Sequence, residues 1–114
     1  MSANETNPWW LARLEDFERN LGSDGEDFWI GLRHESMRAE LFAPIGEDTQ
    51  QPHDQDELYI VLRGSGTFER DGVLADIAAG DVFFVEAGAR HRFARFSDDF
   101  ATWVVFWGPE GGEA

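Results

Sequence analysis

The chain has 114 residues, enough for one hydrophobic core and too few for two. Its 23 acidic residues against 9 basic ones give a formal net charge of −14, which opposes binding to nucleic-acid phosphates and to anionic membrane surfaces. There is no cysteine and every basic residue is an arginine, so disulfides, thiolate ligands, cysteine nucleophiles and lysine Schiff bases are all excluded.

The first residues, Met1 to Thr6, lack the basic and apolar regions of a secretory signal, and no apolar run approaches the roughly 20 residues of a membrane span, so the expected location is the cytoplasm. Asn7 and Pro8 read as the cap and first position of a helix. Trp10, Leu14, Phe17 and Leu21 then recur at helical spacing before Gly22, which predicts an amphipathic helix over residues 8–21 packed on the outside of a sheet.

An acidic turn at residues 23–27 leads into predicted strands at 28–32 and 37–43, with His34 near the bend between them and read as a turn residue rather than a ligand. Residues 58–62, 82–85 and 102–107 are apolar at consecutive positions, so both faces of those strands are expected to be buried. In so small a domain that requires either a second sheet with an outer helix or a second subunit, and a homodimer is the simpler expectation. Glycine turns at 63–66, 70–72, 79–81 and 87–89 divide the chain into short strands, the pattern of an all-β sandwich or barrel. The domain reading is an N-terminal segment at 1–27, a barrel at 28–108 and a flexible tail at 109–114.

His53 and Glu57 stand four positions apart, so an extended strand points both to one side, together with Gln51, Gln55 and Tyr59. His91, Phe93 and Arg95 recur at period two on a later strand, which can present His91 inward with Arg95 beside it. Two imidazoles and one carboxylate form the facial ligand set that suits iron(II) and related divalent metals. Arg90 and Arg92 read as partners of the many carboxylates. The acidic run from Glu47 to Glu57 lacks the spacing of a calcium loop and reads as a solvated rim.

The spacing of these residues resembles the two motifs of the cupin superfamily over roughly residues 30–108. In the first motif His53 matches the second histidine, Glu57 the glutamate and Gly64 the closing glycine, while Gln51 replaces the first histidine and Gly46 lies one residue too near. In the second, Gly80, Gly88 and His91 match in register, with Glu86 in place of a proline and Arg95 in place of an asparagine. The resemblance implies an all-β, double-stranded β-helix (jelly-roll) barrel that binds a divalent metal (Fe, Mn, Ni or Zn) through His53, Glu57 and His91, with the Gln51 amide as a weaker fourth ligand. The implied chemistry is dioxygenase-like or isomerase-like action on a small molecule. Tyr59 or Gln51 would orient the substrate, and Arg95 would pair with it if it is anionic. The alternative is a metal-free module that binds a small apolar or sugar-like ligand without catalysis.

Overall fold

In the computed structural model, which describes residues 7–113, a short helix α1 (Leu14–Asn20) precedes eight strands. These are β1 (Phe28–His34), β2 (Met37–Phe42), β3 (Asp56–Arg63), β4 (Ser65–Arg70), β5 (Val73–Ala78), β6 (Val82–Val85), β7 (His91–Phe96) and β8 (Ala101–Trp107). They form a five-stranded sheet in the order β1-β2-β8-β3-β6 and a three-stranded sheet in the order β5-β4-β7, with every pairing antiparallel. No helix among the described residues is long and apolar enough to cross a membrane.

The pairing register sorts the side chains of the larger sheet into rows, because alternate residues of a strand face the same side. One row of its inner face reads Arg38, Phe106, Glu57, Val85 and the next reads Glu40, Val104, Tyr59, Phe83. Phe68 and Phe93 answer from the smaller sheet. The interior is therefore a cluster of rings: Tyr59 stacks on Phe83 at 4.8 Å, and Phe68 lies 4.5 Å from Phe83 and 4.9 Å from Phe93. These close-packed aromatics form a rigid floor beneath the polar residues of the adjacent row.

The helix is half as long as the sequence predicts. Asn7 does not cap it; its side chain bonds Arg13 and Asp16 instead, and the turn closed by Leu11 N–H on Pro8 O carries the chain to the first helical residue, Leu14. Trp10 remains 62% exposed, and the helix buries only Phe17. The Phe17 ring presses on Gly31, where a Cβ would come within 2.5 Å of ring atoms, so a glycine is required for the helix to reach the sheet.

Two-sided burial holds for only part of the sheet. Leu41 and Ala101 are sealed beneath α1 on the outer face, whereas Val82 and Phe84 of β6 are 59% and 47% exposed. Residues 109–113, expected as a flexible tail, fold back onto the barrel. Gly111 N–H bonds Asp54 O, Glu113 N–H bonds the buried Asp56 carboxylate, and Trp107 Nε1–H bonds Glu113.

Candidate metal centre

Three separate segments converge on one end of the interior. Glu57 is the second residue of β3, His91 opens β7, and His53 lies in the loop before β3. The backbone ties these segments together: Gly88 N–H, in the turn leading to β7, donates to His53 O at 2.8 Å. His53 therefore reaches the face of Glu57 without being part of the strand.

His53 Nδ1 stands 2.9 Å from Glu57 Oε2, and His91 Nε2 stands 2.9 Å from Glu57 Oε1. Neither approach has hydrogen-bond alignment, so His53 Nδ1, His91 Nε2 and Glu57 Oε2 are buried polar atoms without hydrogen-bond partners. The other face of His91 explains why. Its Nδ1 lies 2.9 Å from Ala89 O, and since a carbonyl only accepts, Nδ1 carries the proton, so that in the neutral ring Nε2 presents a bare lone pair. Lone pairs of a neutral imidazole and a carboxylate facing each other at this distance repel unless a proton or a cation lies between them.

The geometry fits a cation. One ligand atom from each of the three residues lies within 4.8 Å of the others. Metal–ligand bonds of about 2.1 Å at right angles separate neighbouring ligand atoms by about 3.0 Å, close to the two N···O separations. Burial closes the site on one side and leaves it open on the other, since Glu57 and His91 side chains are 1% and 0% exposed but His53 is 33% exposed.

The electrostatics are those of a tight pair. Burial works to raise the Glu57 pKa, but the two adjacent imidazoles outweigh it and hold the carboxyl below its usual range. Burial works to lower the His91 pKa, and the Glu57 carboxylate with the Ala89 carbonyl outweighs it and pushes the imidazole up. Tyr59 is pushed well up, first by burial and then by the Glu57 charge, so its hydroxyl stays protonated and donates to Glu57 Oε1 at 3.0 Å.

The remaining sequence candidates take different places around this cluster. Tyr59 is completely buried and bonds Glu57. Gln51 is exposed and lines, together with His91, a cavity of about 750 Å³. Arg95 does not share the face of His91. A bulge opposite Thr67 and Phe68 inserts Ala94 as an extra residue, which turns Arg95 outward to bond Thr67 Oγ1. Arg92 pairs with Glu69, and the backbone N–H of Arg90 bonds Asp71. His34 ends β1 on the surface, stacked on Trp9.

Three residues escaped the sequence reading. Asp48, expected on a solvated rim, is buried and clasps its loop to the edge of β7 by accepting from Phe93 N–H at 2.8 Å and from both Gln50 N–H and its side-chain amide. Arg38 and Glu40 point inward from β2 into a cavity of about 410 Å³ that His53 and Phe106 also line. Burial, then the Glu57 and Asp27 charges with Arg38 opposing, pushes the Glu40 pKa up to about 8.

Comparison with known proteins agrees with this architecture. Residues 40–107 match the family model of the cupin domain. An uncharacterised protein of Streptomyces coelicolor is 33% identical over 100 residues, spanning 86% of this chain and 95% of its own. Among solved structures, KdgF from Halomonas sp. superposes with a TM-score of 0.63 at 19% identity over 73% of this chain and 78% of its own. A candidate mannose-6-phosphate isomerase of Ralstonia eutropha JMP134 superposes with a TM-score of 0.58 at 26% identity, covering 72% and 83% of the two chains.

Proposed function

We propose that this chain, which belongs to the cupin family, is a metal-dependent protein acting on a small molecule, with His53, Glu57 and His91 holding a divalent ion of the Fe, Mn, Ni or Zn group. The observation that carries the reading is the set of three buried ligand atoms that face one another without hydrogen bonds. Such an ion supplies Lewis acidity, or redox chemistry if it is iron. The protein contributes orientation: Ala89 O fixes the His91 ring, Tyr59 O–H fixes the Glu57 carboxylate, and the open side of His53 gives onto the cavity of Arg38 and Glu40. An inward acid–base group beside a Lewis-acid site favours isomerase-like proton transfer over oxidation. The R. eutropha neighbour is a candidate mannose-6-phosphate isomerase.

The test is elemental mass spectrometry on protein purified without an affinity tag or chelator. About one ion per chain is expected, and neither His53→Ala nor His91→Ala should retain it. Wild-type content in both variants would rule out these ligands. One observation favours a second reading, a metal-free binding barrel: a protonated His91 would pair with Glu57 without any ion. In that case chelator treatment would leave ligand binding unchanged.

We also infer a homodimer formed through the outer face of the larger sheet. Val82 and Phe84 stand exposed there, next to half-buried Leu58, Ile60 and Val105 in the paired rows. An uncharged apolar face of this kind is rare on a monomer.

A further inference from the structure

Glu57 and His91 stand on strands, and their side chains are almost completely buried. His53 differs on both counts. It sits in a segment, residues 43–55, that belongs to no strand, and its side chain is 33% exposed. Contacts other than sheet pairing must hold it 2.9 Å from Glu57, because backbone outside the paired strands is the part of a fold that opens first.

Those contacts come from two places. On one side, Gly88 N–H donates to His53 O at 2.8 Å. On the other, residues 109–113 cross back over the segment: Gly111 N–H donates to Asp54 O at 2.7 Å, and the Gln55 side-chain amide donates to Gly108 O at 2.9 Å. Asp56 joins the two. By strand parity it points away from the interior that Glu57 faces, yet it is only 6% exposed. Its Oδ1 accepts from Ala87 N–H at 2.9 Å and its Oδ2 from Glu113 N–H at 3.2 Å. Gly112 lets the chain lie this close. Its φ is +88°, and a Cβ there would come within 2.9 Å of Asp56 Oδ1 and 3.2 Å of the Ala87 Cβ.

We propose that residues 109–113 are a strap that positions His53, with Asp56 and Gly112 as its positioning residues. The inference rests on the metal reading for the effect on an ion, whereas its mechanics are those of the metal-free protein. A circuit of bonds runs from His53 O through the turn at Ala87 and Gly88 to the Asp56 carboxylate, on to the strap, and back at Asp54 O. Seated, the strap fixes the backbone at His53 and beside it, so the imidazole waits in place against the Phe106 ring at 5.1 Å. Once the strap lifts, the circuit opens. The imidazole must then be ordered anew when an ion binds, which costs affinity. Glu57 and His91 keep their places because strand pairing holds them.

The test takes two full-length variants. Gly112→Val puts a branched side chain where no Cβ fits, and Gly111→Pro removes the N–H that Asp54 O accepts and cannot adopt the φ of +91° at that position. In metal-free protein the Gly88 amide should exchange about tenfold faster in both variants, and the NMR signals of the His53 ring should shift and broaden. Amides in the middle of β8 and the His91 ring should match the parent. With cobalt(II) as the probe, both variants should bind about tenfold to a hundredfold more weakly. Glu113→Gln keeps its backbone donor to Asp56 and an oxygen for Trp107 Nε1–H, so it should match the parent in every reading. A tail with a merely structural role would lower stability in urea and leave the His53 ring and the cobalt(II) affinity of the folded protein unchanged, and that result overturns the proposal. So does a His91 ring that moves as far as the His53 ring. Parent protein that binds no cobalt(II) sinks the metal reading alone, since exchange at Gly88 and the His53 ring signals then still decide for or against the strap.

Discussion

Tyr59 donates its hydroxyl proton to Oε1 of Glu57 at 3.0 Å, from two positions along the same face of β3. Oε1 is also the oxygen that faces His91 Nε2, so one bond sets the rotation of the carboxylate toward both imidazoles. The phenol sits between the Phe83 ring and the Phe93 edge and has little freedom to move. The aromatic floor thus fixes the ligand geometry from below.

Tyr59→Phe tests this. It preserves the ring packing and removes only the bond, so the fold should persist while affinity for a divalent ion falls by about tenfold to a hundredfold. Competition against a chromogenic chelator gives the number. Unchanged affinity would reduce Tyr59 to a packing residue.

Glu40 gives the fold a pH signature. Its pKa is raised from 4.5 to about 8 in the native state, first by burial. The native protein therefore holds a proton that the unfolded chain releases, and the stabilisation, complete below the unfolded pKa, is lost as pH rises through the native one. Metal-free protein should lose several kcal/mol of stability between about pH 5 and about pH 8 from this group. Glu40→Gln should flatten that slope in urea titrations at a series of pH values, and an equally steep slope in the variant would assign the effect elsewhere.

The glycine turns and the spacing of His53, Glu57, Gly64, Gly80, Gly88 and His91 made the barrel and the His–Glu cluster legible, because turn chemistry and strand parity are local properties. What escaped was set by tertiary context. Arg95 follows His91 at even spacing, but one inserted residue, Ala94, reverses its side, and a bulge leaves no mark in the sequence. Arg38 and Glu40 alternate with Ala39 and Leu41, a pattern that places the charged pair toward solvent. Instead α1 covers Leu41 from outside, and the charged pair faces the interior. The helix start failed for a similar reason: Asn7 found Arg13 and Asp16 as partners in place of the backbone it was expected to cap.

Asp48 closes a loop that no strand pairing holds. It accepts three hydrogen bonds, one from the Phe93 N–H on the free edge of β7. Asp48→Ala leaves that buried donor unpaired and should cost about 3 kcal/mol, the scale of losing charge-assisted bonds. Hydrogen exchange offers a specific reading: the Phe93 amide should exchange markedly faster in the variant while amides in the middle of β8 stay protected. Uniform loosening across both sheets would mean that Asp48 supports the whole fold rather than the loop.

The exposed pair on β6 bears on the assembly. Stable interfaces bury about 800 Å² on each partner, so Val82 and Phe84 with Leu58, Ile60 and Val105 form the centre of such a patch and the surface around them must complete it. Each copy carries a net charge of −14, so the same patch that attracts must overcome long-range repulsion. The two forces respond oppositely to salt. Screening removes the repulsion and leaves the apolar contact, so sedimentation equilibrium should show a dimer that tightens as salt rises from about 0.05 M to about 0.5 M. Phe84→Glu places a carboxylate in the patch and should give a folded monomer, with circular dichroism and metal content unchanged. A dimer that persists in Phe84→Glu, or one that loosens with salt, would place the interface on another face, held by charge.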